Sequence, residues 1–216
     1  MKIVKPGYVV LNRPTREEAL SIIELAARTC YKSEQLITED SSVKMVQSLI
    51  KRRHYAMLEH VHATVKIICD RGVSHEIVRH RLASYAQEST RYCNYAKGEY
   101  KKEITVVNPI AHMTDMEYAI WLEAMERAEN AYMALSAQGA SPQIARSVLP
   151  NSLKTEIVVT MNLREWIHFF NLRSVGTTGA PHPQMREVAD MILSNFAVWI
   201  PEIFKDIWEA RCYGNH

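Results

Sequence analysis

The chain is poor in glycine. It has seven in 216 residues, and none falls in a G-x-G-x-x-G fingerprint or a P-loop. This excludes a dinucleotide or phosphate held on a glycine-rich turn by the Rossmann route. Phosphates must then be met by side chains, and arginine forks suit them best. Cysteine is also scarce: Cys30, Cys69, Cys93 and Cys212 show neither C-x-x-C nor zinc-ligand spacing. Reduced, buried thiols in a cytoplasmic protein are therefore expected. No apolar run is long enough to span a bilayer, and the N-terminus lacks a signal-peptide core. Net charge is only +2, which leaves no electrostatic footprint for a nucleic-acid polymer. A mononucleotide needs no more than a local basic pocket.

What is present suits a packed domain. Hydrophobic residues make up 47% and charged residues 23%, enough for one domain over residues 1–216 with a sizeable core. Ile3-Val4 and Tyr8 to Leu11 fit one or two short edge strands. Thr15-x-x-Glu18 predicts a capping box and a helix to about Cys30, and Ser41 or Ser42 starts another that ends near Lys51-Arg52-Arg53-His54. Val61, Ala63, Val65, Ile67 and Cys69 alternate with polar residues, as a half-buried strand does. Asp70-Arg71-Gly72 reads as a turn, with Ser74 as N-cap of a helix carrying Arg79-His80-Arg81 and a polar loop over Ser84 to Ser89. Ile104 to Val107 is a short strand. Thr114-x-x-Glu117 opens a long helix that Gly139 closes, and Ser141-Pro142 opens a short one with Arg146 near its end. Leu153 to Met161 alternates again, and Asn162 caps a helix to about Arg173 with Glu165 at its third position. Pro183 precedes a last long helix with a stripe of Val188, Ile192, Phe196, Trp199 and Ile203. The sum is α+β: a small antiparallel sheet flanked by helices is expected.

The stretch from Arg79 to Tyr92 gathers three arginines, a histidine, two serines, two tyrosines, Gln87 and Glu88 into fourteen positions. Arginines and hydroxyls suit phosphate oxygens, while Gln87 and Glu88 can read a heterocycle edge. Arg146, Arg164 and Arg173 are further phosphate candidates. A second constellation is Asn162-Leu163-Arg164 running through His168 to Leu172-Arg173, where Arg164 and His168 share a helix face. Trp166, Phe169 and Phe170 in it read as core rather than as a flavin platform. His54-x-x-x-Leu58-Glu59-His60 precedes the first long strand. With His62 it makes a poor zinc case, because no matching ligand spacing occurs elsewhere, and no metal is expected.

Arg-His-Arg, then seven residues, then Ser89-x-Arg91-Tyr92 resembles the signature of the flavin-dependent thymidylate synthases. The Asn162-x-Arg164 and Leu172-Arg173 stretches resemble a later part of the same family, and the likeness runs from about His54 to His182. It implies reductive methylation of dUMP to dTMP, with methylenetetrahydrofolate as carbon donor, reduced FAD as hydride donor, NADPH as reductant and no cysteine nucleophile. Arg79, His80, Arg81, Gln87, Asn162, Leu163, Arg164 and His168 would contact FAD, with His54, Glu59 and His182 near the flavin. Glu76, Ile77, Val78, Arg79, Gln87, Glu88, Ser89, Thr90, Arg91, Arg146 and Arg173 would hold dUMP, partly through backbone groups. Arg173 is the catalytic residue this implies, a fixed cation beside the pyrimidine edge. The family's sites are shared between subunits of a homotetramer.

Some positions depart from the commonest pattern. Gln87 stands where an Asn often precedes the Glu, Glu76 where a Gln is frequent, and Ala56 where Ser or Thr often faces the flavin. The loop from Ser174 to Pro181 is long. Two rival readings use the same residues: a flavoprotein or nucleotide hydrolase reusing the fold, and a small RNA-binding module. The near-neutral charge and the lack of an aromatic-basic motif weigh against RNA.

Overall fold

Two capping boxes and two alternating strands set the frame. The computed structural model describes residues 1–96 and 103–214. Strands β1 (Lys2–Val4) and β2 (Gly7–Asn12) precede helices α1 (Arg16–Thr29) and α2 (Ser41–Lys51). Strand β3 (His62–Asp70), helix α3 (Arg71–Ile77) and strands β4 (Ala83–Gln87) and β5 (Thr105–Val107) follow. Helices α4 (Asp115–Ala137) and α5 (Pro142–Ala145), strand β6 (Lys154–Asn162) and helices α6 (Leu163–Phe170), α7 (Pro183–Trp199) and α8 (Pro201–Tyr213) complete the order. One sheet runs β2-β3-β6-β4 and a second pairs β1 with β5. The expected mixed fold with an antiparallel sheet is borne out. In it Leu163 N donates to Val61 O and the Thr64 and Thr160 hydroxyls meet at 2.9 Å. The β1–β5 pair, by contrast, is parallel. No helix among the described residues is long and apolar enough to cross a membrane.

The residues cluster into two compact units. The first comprises residues 1–7, 67–79 and 86–157, the second residues 8–66, 80–85 and 158–216. The core of the first packs Tyr95, Ile104, Val106, Trp121, Met125, Tyr132, Ala145 and Leu153. In the second, Trp166, Phe169, Phe170, Phe196 and Phe204 form a ring cluster with centroids 5.0–5.7 Å apart. All five are fully buried, so the α6 aromatics are core as expected, and truncating one to alanine would cost about 3–5 kcal/mol. The buried Glu24 of α1 is satisfied by Arg28 at 2.9 Å and by the Ser41 hydroxyl of α2 at 2.9 Å.

Several local expectations are corrected. Asp70, not Ser74, caps α3: its carboxylate accepts from Val73 N at 2.7 Å. The helix therefore starts a turn early and ends at Ile77, leaving Arg79-His80-Arg81 beyond it. Residues 83–87 are strand rather than loop, because Ala83, Tyr85 and Gln87 alternate with exposed Ser84 and Ala86. Helix α6 ends at Phe170 and passes into a π-helical turn, Asn171–Val175. The C-terminal stripe belongs to two helices, since Pro201 lacks an N–H and interrupts the helix before Ile203. Pro183 is the first residue of α7 rather than its predecessor. Only Cys69 is buried, while Cys30 and Cys212 are exposed.

Candidate active site

In the first unit, Gln87 and Glu88 at the end of β4 are held from several sides. Ser74 Oγ spends its proton on Arg71 O at 2.9 Å, so it accepts from Gln87 Nε2 at 2.9 Å, as does Thr155 Oγ1 at 3.2 Å. That fixes which end of the Gln87 amide is carbonyl. Glu88 accepts from Tyr95 Oη at 2.8 Å and from Lys154 Nζ at 3.1 Å. Burial works against the Lys154 ammonium, but hydrogen bonds and charge from Glu156 and Glu88 outweigh it and raise its pKa. Ser89 opens a turn, accepting at its carbonyl from the Tyr92 and Cys93 amides. Thr90 is buried, and Arg146 Nη1 reaches its hydroxyl at 3.4 Å. Arg79, Arg91, Arg146 and Val78 are exposed, Glu76 is half-buried and the Ile77 side chain is in the core. Ile77 could thus meet a ligand only through its backbone.

In the second unit, Asn162 caps α6 by accepting from Glu165 N at 2.9 Å. Arg164 and His168 then stand on the exposed face of α6, with Glu165 and Phe169 on the buried one. Arg164 Nη1 pairs with Glu59 Oε1 at 2.5 Å. Leu163 is fully buried and its amide is bonded to Val61 O, so its side chain is structural. A groove of about 380 Å³ is lined by Cys30, Tyr31, Arg53, His54, Tyr55 and Arg164 among others. His54 and Arg164, distant in sequence, thereby share one surface. The turn leading into the groove is strained: Arg53 has φ 57°, a conformation usually left to glycine after a helix.

A third cluster surrounds His80, which is 4% exposed. Its Nδ1 lies 3.2 Å from Glu165 Oε1 and its Nε2 3.2 Å from Arg173 Nε. Its ring packs on Phe169 at 5.0 Å and edge-on to His168 at 5.6 Å. Burial, with the Arg173 and His168 charges, lowers the His80 pKa to about 4. Burial also raises that of Glu165, against the pull of His168 and Arg164. Tyr85 donates to the His80 carbonyl, and burial, aided by the Glu165 charge, pushes its phenol up to about 12. Arg81 and His182 are exposed.

The structure sorts the candidates by unit. The nucleotide set apart from Arg173 lies in the first unit, and the flavin set apart from Arg79 and Gln87 lies in the second. Sequence patterns missed Glu165, which reads as a helix-cap residue, and Lys154, which reads as the polar face of a strand. A hint for Lys154 is its i, i+2 spacing from Glu156, which puts both on one strand face.

The model of the family described as thymidylate synthase complementing protein matches residues 12–202. A protein of Geobacter sulfurreducens named flavin-dependent thymidylate synthase is 38% identical over 159 residues, covering 70% of this chain and 67% of that one. One of Mycobacteroides abscessus with the same name is 31% identical over 202 residues, covering 86% and 78%. The UMP/dUMP methylase PolB from Streptomyces cacaoi, solved with 5-Br dUMP, shares the fold at a TM-score of 0.77 and 22% identity over 95% of this chain and 96% of that one.

Proposed function

The chain belongs to the thymidylate synthase complementing protein family, and we infer that it is a flavin-dependent thymidylate synthase. It would methylate dUMP to dTMP, with methylenetetrahydrofolate giving the carbon and NADPH reducing FAD. The observation that carries this is the family match over residues 12–202, which includes both signature stretches.

The second unit's residues fit a flavin dinucleotide. The groove combines cationic Arg53 and Arg164 with Tyr31, Tyr55 and Met57, a donor set suited to phosphates on one side and an aromatic ring on the other. His54, Glu59, Arg81, His168 and His182 would complete the contacts. When bound, FAD supplies the hydride that turns the transferred methylene into a methyl group.

The nucleotide falls to the protein's own side chains. Gln87, Glu88, Ser89, Thr90, Arg91 and Arg146 would orient dUMP, with Arg79 and Glu76 beside them. Arg173 would stabilise negative charge on the pyrimidine as C5 becomes nucleophilic, a preorganised cation acting where charge develops. No thiol is needed for this, and the buried Cys69, pushed up to about 12 by burial, is unsuited to the task. The chain would act as one cytoplasmic domain assembled into a homotetramer.

The test is a visible absorbance titration of the FAD-loaded protein with dUMP, followed by a dTMP assay with methylenetetrahydrofolate and NADPH. Saturable shifts of the flavin bands and dTMP formation are expected. Bound flavin that ignores dUMP and yields no dTMP removes this substrate.

A further inference from the structure

We propose that His80 is a positioning residue for Arg173: a neutral imidazole, its tautomer set by Glu165, that accepts the Arg173 Nε–H and holds the guanidinium in one orientation. The inference deepens the reading of Arg173 given above and rests on it. It also assigns His80 a role other than flavin contact.

The donor inventory fixes the proton. A guanidinium can only donate, so the 3.2 Å contact from Arg173 Nε makes His80 Nε2 an acceptor. The ring proton must then sit on Nδ1 and point to Glu165 Oε1 at 3.2 Å. Both ring nitrogens are used within the chain, and the ring is wedged by Phe169 and His168. The bond from Tyr85 to the His80 carbonyl anchors the backbone as well. The contact takes Arg173 at Nε and leaves its terminal Nη pair outside this bond. A protonated His80 would turn its acceptor into a donor facing a cation, and burial opposes that state.

The same groups could be mistaken for a metal site, since ligand atoms of His80, Glu165 and His168 lie within 4.8 Å of one another. An ion there would have to take a His80 nitrogen that Glu165 or Arg173 already engages, with the Arg173 cation on the same ring. The geometry points instead to a hydrogen-bonded chain, Glu165 to His80 to Arg173, in which an outer carboxylate orients an imidazole that orients the working group.

The test compares side chains that keep one link or the other. Asparagine at position 80 reaches the Nδ1 position and glutamine the Nε2 position. His80→Asn should lower kcat for dTMP by about 100-fold, the cost of a misplaced catalytic group. His80→Gln, which keeps an acceptor for Arg173, should stay within about tenfold of the parent. Flavin content and the dUMP-induced spectral change should survive in both. Glu165→Ala should lower kcat about tenfold and Glu165→Gln restore most of it, because only the former releases the tautomer. These carboxylate variants keep the test open if position 80 tolerates no change. Wild-type kcat in His80→Asn, equal losses in the two His80 variants, or equal kcat in the two Glu165 variants overturns the proposal. Arg173→Ala, measured alongside, separates the two ideas. Full activity there removes the role of Arg173 itself, whereas an inactive Arg173→Ala beside an active His80→Asn removes only the relay.

Discussion

Ser174, the residue after Arg173, donates a hydrogen bond to the carboxylate of Asp190 on α7. Asp190 is in turn gripped by Arg211, with Nε 3.0 and 2.9 Å from its two oxygens and Nη2 at 2.7 Å. The π-helical turn is thus tied to α7 and α8, elements whose interior is the aromatic cluster. Wide turns of this kind are frequent at functional sites.

Asp190→Ala should therefore loosen the turn and unpair Arg211, at about 2 kcal/mol for a charge-assisted set that is partly exposed. Turnover should fall more than flavin content, since Arg173 loses its support while the groove is untouched. Asp190→Asn, still an acceptor for Ser174, should cost less. Urea unfolding and dTMP formation measured on both variants check this, and equal losses in the two would rule the carboxylate's role out.

Gly176 ends the same turn at φ +87°, and its amide bonds to Asn171 O at 2.9 Å. A Cβ there would lie 2.9 Å from Gly179 O and 2.9 Å from Pro181 Cδ. Gly176→Ala must shift backbone as well as accept a left-handed conformation, together costing about 2 kcal/mol or more. A lower urea midpoint with a still larger loss of turnover is the expected result.

These two supports show where sequence reading stops. The alternation of β3 and β6 and the capping boxes of α1 and α4 are local signals, and the structure bears them out. Residues 83–87 look like loop in sequence because an edge strand can carry polar residues on both faces. Local signals put Arg79-His80-Arg81 on a helix because Asp70 and Ser74 are both good caps, and nothing local says which amide each meets. Glu165, Asp190 and Lys154 act through partners remote in the chain, so no window around them could show their roles. The spaced signature did mark out both candidate sets, including His80, Arg173 and Glu88, but not how they are held.

Gln87 illustrates what the structure adds to a departure from the family pattern. With Ser74 already donating to Arg71 O, the side chain at 87 must offer a donor toward Ser74. Gln87→Glu would set a carboxylate against a hydroxyl whose proton is taken, leaving an unmet buried acceptor. Under the proposed nucleotide role, the KM for dUMP should rise about tenfold, equivalent to roughly 1.4 kcal/mol. Flavin binding should be unchanged. Steady-state kinetics against dUMP settle the matter, and an unaltered KM would take Gln87 out of the nucleotide site.

The neutral state of His80 makes a prediction about acid. Its pKa is about 4 in the fold against 6.5 when exposed, so between those values the unfolded chain binds more protons. Stability from this group is complete above about pH 7 and declines as pH falls toward 4, by on the order of 3 kcal/mol in total. The groups facing it are Glu165, His168, Arg173 and Tyr85. Of these, Glu165 pulls the other way, because its raised pKa lets the folded chain take up its proton first. The His80 share is isolated by comparison with His80→Gln, which does not titrate. Urea unfolding at pH 7 and pH 5 should show the parent losing more stability than the variant, so that the gap between them narrows in acid. Parallel losses would mean that His80 takes up its proton as readily in the fold as in the unfolded chain, and a ring held neutral by the hydrogen bond from Arg173 would not do so.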